Sequence, residues 1–220
     1  AEVRTADEDG TSQERQVVIE VNESADFDID YGLRVSSEND LEALSGVKVP
    51  NLFGKAHQAG ITARVNRRES RVIGSYHLPY FWSYRLGTDI FVALETDDEE
   101  AFSTELWRLT FQQQRSIAEN FDVQWAYTFR NSHTIGKVTE DSPFPFDFLT
   151  RQSILSASLI EDRRDNIVQP ERGRFWNITF QFAPEALGSD IRFVKLYGQL
   201  FTFHPITEEV IWASSYRMGI

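Results

Sequence analysis

The chain contains no cysteine and a single methionine. Without cysteine there is no disulfide scaffold, no thiol chemistry and no cysteine-ligated zinc or iron–sulfur site. The four histidines, His57, His77, His133 and His204, are scattered and lack the spacing that would bring two of them onto one metal. No apolar run approaches the roughly 18 residues of a spanning helix. That excludes helical membrane proteins but not barrels, whose strands show lipid only every second residue. A phosphate loop is also missing. Ser153, Ser156 and Ser158 fall in a strand-like run, with no G-x-S-x-G elbow and no partnered histidine. Neither catalysis nor a cofactor is expected. With a net charge of −12 and a pI near 4.8, nucleic acid is not an expected partner.

What the chain has in quantity is aromatic rings, 17 Phe, 7 Tyr and 5 Trp, among many Gln, Ser, Thr and Asn. That composition suits strands better than helices. From Ala25 onward the residues alternate. Phe27, Ile29, Tyr31, Leu33 and Val35 face one way, and Asp26, Asp28, Asp30, Gly32 and Arg34 the other. Phe121, Val123, Trp125, Tyr127 and Phe129 likewise oppose Asp122, Gln124, Ala126, Thr128 and Arg130. Both runs match the roughly 9–11 residues of a membrane strand. Weaker alternations start near Ile61, Ile90, Trp107 and Trp176. Segments near 41–49, 71–80, 152–160, 192–203 and 209–219 bring the expectation to about eleven strands.

A soluble β-sandwich or lipocalin-like barrel alternates too, with its apolar residues inward. Inversion is favoured here on two grounds. The large rings gather on the apolar face near strand ends, as aromatic girdles require. The opposite face carries Arg34, Lys48, Arg64, Arg108 and Arg130 with carboxylates, which suits a wet lumen. The segments Pro50–His57, Pro79–Gly87 and His204–Glu208 read as compact turns, whereas Asn131 to Gln152 reads as one long connection. Short turns at one rim and longer loops at the other are the expected asymmetry. Asp26, Asp28 and Asp30 resemble a calcium loop only superficially, with Gly at the wrong offset and no Glu in twelfth place. Asp97-Asp98-Glu99-Glu100 reads as a solvated hairpin tip, with a divalent cation bridging to lipopolysaccharide as the rival reading. Residues 1–24 read as a hairpin, with Ala1–Arg4 and Gln16–Val21 as strands and Glu8-Asp9-Gly10 as the turn. Both chain ends read as cut points in a longer polypeptide.

The run from Ser156 to Gly173 resembles the strand–turn–strand pattern of the BamA/TamA superfamily of outer-membrane assembly barrels. In that family the turn runs R-D-N, a few residues, then P-x-R-G, which Arg164, Asp165, Asn166, Pro170, Arg172 and Gly173 match. Pro50-Asn51-Leu52-Phe53-Gly54-Lys55 is similar to the family's first periplasmic turn, and Pro79-Tyr80-Phe81 to its second. Counting from Ala25 puts the R-D-N turn between strands eight and nine, its place in the family. Val17 to Glu23 resembles the last strands of a POTRA domain. The resemblance implies an all-β chain: the end of a POTRA-like domain over 1–24, then over 25–220 about eleven antiparallel strands of a sixteen-stranded transmembrane barrel. The family's V-R-G-F/Y loop and closing strands are not in this chain, so its strands are expected not to seal a barrel by themselves.

The resemblance further implies the outer membrane of a Gram-negative bacterium, with the N-terminal part periplasmic. Its partners would be outer-membrane lipids, unfolded outer-membrane protein clients, and periplasmic or lipoprotein accessory subunits. Clients would dock on the edge of the first strand, at Phe27, Ile29, Tyr31, Leu33 and Val35, while the R-D-N turn would be structural. A two-partner secretion transporter, the membrane anchor of a patatin-type phospholipase and a passive porin are the alternatives.

Overall fold

The computed structural model describes residues 2–5, 17–20, 27–36, 40–82, 84–138, 145–207 and 209–220. Two short strands, β1 (Glu2–Thr5) and β2 (Val17–Glu20), pair antiparallel, with Val3 opposite Ile19. The expected turn at Glu8-Asp9-Gly10 and the residues from Val21 to Asp26 lie outside the described residues.

Eleven further strands pair in chain order into one antiparallel meander. They are β3 (Asp28–Ser36), β4 (Asp40–Leu52), β5 (His57–Val65), β6 (Glu69–Leu78), β7 (Gly87–Asp98), β8 (Phe102–Ala118), β9 (Phe121–Gly136), β10 (Asp147–Asp162), β11 (Gly173–Ala183), β12 (Phe193–Pro205) and β13 (Ile211–Gly219). The expected strand number holds. The sheet is open, with β3 at one edge and β13 at the other.

Register explains why alternation on single strands becomes two faces of a sheet. Ile29 lies opposite Val47, Val47 opposite Ile61, and Ile61 opposite Gly74. Further along, Val92 meets Leu109, Leu109 meets Phe129, Trp125 meets Ala157, and Ala157 meets Phe180. One largely apolar face therefore runs across all eleven strands, interrupted by a few polar residues such as Thr88, Gln113 and Glu161, and a one-residue slip anywhere would invert it. Along β8, Trp107 and Leu109 are exposed, whereas Leu106, Arg108 and Thr110 are half-buried. The sheet thus curls toward its polar side. Among the described residues the buried hydrophobics are only Ala93 and Ala183, while Glu42, Thr88, Gln113, Gln152, Ser153, Glu161 and Ser189 are buried polar groups. From Phe121 to Phe129 the apolar run on β9 extends about 27 Å along the strand, on the scale of the roughly 25 Å apolar band of membrane barrels.

The chain enters β3 at one rim, here called proximal, which also carries the intervals 53–56, 79–86, 119–120, 163–172 and 206–210. The distal rim carries 37–39, 66–68, 99–101, 137–146 and 184–192. Short and long intervals occur at both rims, so the expected asymmetry is absent. The reason lies in β8, β9 and β10, which are 17, 16 and 16 residues long and absorb most of the expected connection from Asn131 to Gln152. Asn131 to Ile135 look loop-like because they are mostly polar, yet each pairs with β8 on one side and β10 on the other. Their backbone groups are satisfied, and their polarity suits strands standing clear of the bilayer. Where β10 outruns β11, the interval 184–192 folds onto its bare edge. Ser153 N–H donates to Ser189 Oγ (2.9 Å), and Arg151 N–H donates to Asp190 Oδ2 (2.6 Å).

Candidate functional site

Three features of this sheet can act on other molecules: an unpaired strand edge, a charged concave face and a braced turn. The edge is β3. Among the described residues it pairs with β4 alone, and on its other side alternate N–H and C=O groups point away from the sheet. Phe27, Ile29, Tyr31, Leu33 and Val35 share the convex apolar face and are 55–89% exposed. On the concave side, Asp28 lies opposite Lys48 and Asp30 opposite Gly46. Asp26 lies outside the described residues.

Charge on the concave face is laid out as a rung across strands. Glu42 on β4, almost completely buried, lies 4.0 Å from Arg34 on β3 and 3.7 Å from Arg64 on β5. Arg71 on β6 reaches Glu95 on β7 at 3.4 Å and Glu69 at 2.8 Å, and Arg108 on β8 reaches Glu95 at 2.7 Å. Arg108 in turn stands directly opposite Arg130 on β9. Arg34, Arg64, Arg108 and Arg130 were legible in the sequence as lumen residues. The pairing of the first three with Glu42 and Glu95, and of Glu95 with Arg71, was not, because cross-strand partners follow from register. At the distal rim the acidic tip is engaged by cations: Lys137 Nζ donates to Asp98 (2.6 Å), and Arg68 lies 3.5 Å from Glu99 and 3.9 Å from Glu100.

The proximal turn 163–172 holds together the residues that the sequence singled out. Asp165 Oδ1 accepts from the backbone N–H of Asn166, Glu171 and Arg172 at 2.9, 3.0 and 3.1 Å. Asn166 Oδ1 accepts from Val168 and Gln169 at 2.9 and 3.1 Å. These are Asx-type bonds, in which a short side chain replaces a missing strand partner. The Arg172 N–H, foremost among those donors, holds the Asp165 carboxyl below its ordinary range, against a smaller opposing effect of desolvation. Arg164 grips Asp162 with two bonds, 2.8 and 2.7 Å, and lies over the Phe175 ring at 5.0 Å. Gly173 has φ +102°, and a Cβ there would run into the Arg163 carbonyl. Pro170 is half-buried. The Arg172 side chain is exposed, and Val168 at the tip is 93% exposed.

Beside the turn, sequence reasoning missed a hub at Glu161. It is buried on the convex face and accepts from Arg174 Nε (3.0 Å) and Trp176 Nε1 (2.5 Å), with Arg163 Nε at 2.7 Å. Phe121, its neighbour on β9, packs 5.8 Å from Trp176. Farther toward the distal rim, Trp107 and Phe129 lie 5.0 Å apart on the same face. Rings thus mark both ends of the apolar band, as the girdles of membrane barrels do.

The chain is similar to the crystal structure of BamA from Haemophilus ducreyi lacking POTRA domains 1–3. The TM-score is 0.76 and the identity 15%, and the match covers 99% of this chain and 45% of that one. The chain therefore spans less than half of that structure, and at this identity the likeness concerns the fold. No curated protein matches the sequence. Residues 51–220 match the Omp85 superfamily domain, a stretch that includes ten of the eleven sheet strands in part or whole. With the domain match over most of its length and the sheet of such a barrel throughout, the chain belongs to the Omp85 superfamily.

Proposed function

We propose that this chain is the leading part of a Gram-negative outer-membrane barrel that inserts other barrels, and that β3 is the edge onto which a client strand adds. The observation that carries the reading is the place and chemistry of β3: it is the first strand of the barrel sheet, nine residues long, with Asp28 and Asp30 on its concave side. A client strand meeting that edge gains main-chain hydrogen bonds that require no particular sequence, which suits a factor serving many clients. In the bilayer an unpaired peptide group costs several kcal/mol, so the edge and the incoming strand both gain by pairing. The free energy comes from client folding, and no enzymatic step is involved. Asp28 and Asp30 put two carboxylates on the concave side of the edge, which weakens permanent closure against another strand.

The β1–β2 pair is read as the end of a POTRA-like domain over 1–24, preceding the barrel portion over 25–220. That places the proximal rim in the periplasm, where clients and periplasmic or lipoprotein accessory subunits would meet it. Outer-membrane lipids would cover the convex face.

Disulfide trapping in the full-length protein tests the docking edge. The chain has no cysteine of its own, so a Cys at Ile29 or Leu33 is unique within it. Val92 on β7 is the control, as it shares the lipid-facing side (46% exposed, against 60% for Ile29) but lies in the sheet interior. During assembly, Ile29→Cys should form a mixed disulfide with a Cys series along the client's C-terminal strand, in one register. Equal trapping at Val92→Cys would refute docking at β3.

A further inference from the structure

The interval 79–86, between β6 and β7, does more than connect them. Its backbone closes on itself: Phe81 N–H donates to Tyr84 O and Tyr84 N–H to Phe81 O, both at 3.1 Å, and Leu86 N–H donates to Tyr84 O at 2.9 Å. The closed turn lies against the convex apolar face, where the Phe81 ring meets Phe111 of β8 edge-on at 6.5 Å. Close to it the convex face carries polar groups that lipid would not tolerate bare, and they are satisfied in a chain. The Trp125 indole N–H donates to Gln113 Oε1 (3.0 Å), the Gln113 amide donates to Thr88 Oγ1 (3.2 Å), and the Thr88 hydroxyl donates to Leu86 O (3.3 Å). Thr88 is 1% exposed and Gln113 8%. The polar chain thus ties the turn to β7, β8 and β9, with Thr88 and Gln113 closed to solvent.

What the turn shows outward is apolar and amphipathic. Tyr80, Trp82 and Tyr84 are all exposed, Trp82 at 88%. Trp82 also has φ +57°, a left-handed conformation that disfavours any residue with a Cβ. An indole is therefore held out where glycine would fit with less strain. Arg85 is exposed beside these rings. Tyrosine, tryptophan and arginine at the end of an apolar band match the chemistry of the boundary between lipid headgroups and acyl chains.

We propose that the turn 79–86 is a membrane-interface foot, seated in the headgroup–acyl boundary of the leaflet at the proximal rim, with Trp82 as its deepest anchor. The proposal rests on the reading of the convex face as lipid-facing. Its occupant is phospholipid, because the turn is continuous with that face through the Phe81–Phe111 contact.

Tryptophan emission from the full-length protein, reconstituted in phosphatidylethanolamine–phosphatidylglycerol vesicles, tests it. The vesicles carry phosphatidylcholine brominated either near the headgroup or at mid-chain. The difference between wild type and Trp82→Phe isolates Trp82, and that variant should fold, because the residue is exposed. The expected result is loss of the Trp82 emission with shallow bromines, less loss with mid-chain bromines, and protection from aqueous acrylamide. Insensitivity to both bromolipids, with full acrylamide quenching, overturns the foot and leaves the turn to water or a protein partner. Trp107 on the convex face, isolated by Trp107→Phe, should lose emission to bromolipid. If Trp107 responds and Trp82 does not, the foot alone is wrong, whereas if neither responds the lipid-facing assignment fails with it.

Discussion

Two adjacent residues of β10 separate the two faces of this sheet in one experiment. Ala157 lies on the convex face between Trp125 and Phe180, midway along the outward run Leu155–Leu159. Ser158 points into the concave side between Gln124 and Thr179, where its hydroxyl and that of Thr179 are 3.0 Å apart. Ala157→Arg loses almost no native packing, since a methyl group is all that is removed. Near the bilayer midplane the new charge costs roughly 2–4 kcal/mol. Ser158→Arg loses one hydroxyl hydrogen bond, about 0.5–1.5 kcal/mol net, while its charge stays in water. The expected gap is about 0.5–3.5 kcal/mol, from roughly twofold to about three-hundredfold in the folding equilibrium. Urea unfolding of the full-length protein in phospholipid vesicles, followed by tryptophan emission and by heat-modifiable gel mobility, measures both variants against wild type. If Ser158→Arg costs as much as Ala157→Arg, or more, the apolar face is not the lipid face. A soluble β fold with its apolar side covered by protein would then be the better account.

Two further outcomes concern the proximal turn. Gly173→Ala should destabilise by at least about 1–3 kcal/mol, the cost of a forced backbone conformation, because φ is +102° and the new Cβ would meet the Arg163 carbonyl. Gly198→Ala, where nothing lies within 4 Å, should stay close to wild type in the same unfolding assay. Asp165 gives a pH signature: its folded pKa is depressed, chiefly by the Arg172 N–H, so its contribution is complete above the unfolded value of about 3.9 and is lost as pH falls through the lower folded value. The Arg172 amide resonance should titrate below that pH in wild type and lose the transition in Asp165→Asn, and a wild-type transition at or above about 3.9 would contradict the bonding described.

Strand number and facing were legible because a membrane strand encodes both in one alternating pattern. Phe121 to Phe129 needed nothing beyond their own sequence to be placed on a face. The R-D-N turn was legible for a different reason: Asp165 and Asn166 act on backbone no more than seven residues away, so their roles are written locally. The partners of Arg164 show where that stops. Asp162 is two residues away, but Phe175 reaches Arg164 only because β10 and β11 fold back on each other. Gln113 and Thr88 were invisible for a further reason. Each breaks the apolar side of the alternation, and only the neighbouring strands and turn 79–86 show how their polarity is satisfied. The distal ends of β8 to β10 misled because polarity, which marks loops in soluble chains, here marks strand that has left the bilayer.

The template edge we propose must exchange partners without unravelling the sheet that carries it, and the strand lengths suit that requirement. β3 and β5 have nine residues, β6 ten and β4 thirteen, whereas β8 to β10 have sixteen or seventeen. Side chains follow the same gradient. Near β3 the convex face offers Ala43, Ser45, Ala63 and Gly74, small residues that pack weakly across strands. In the middle it offers Trp107 against Phe129, and Phe121 against Trp176, ring pairs that each add about 0.5–1.5 kcal/mol beyond burial. Glycines Gly32 and Gly46, on the concave side of β3 and β4, lower cross-strand packing further. The rearrangement proposed for β3 would therefore be confined to a weakly packed part of the sheet, while the tall strands and the Glu161 hub keep the register of the rest. The two like-charged residues Asp28 and Asp30 sit in that same weak region, so the charge proposed to oppose closure would act where opposition to closure costs the remaining fold least.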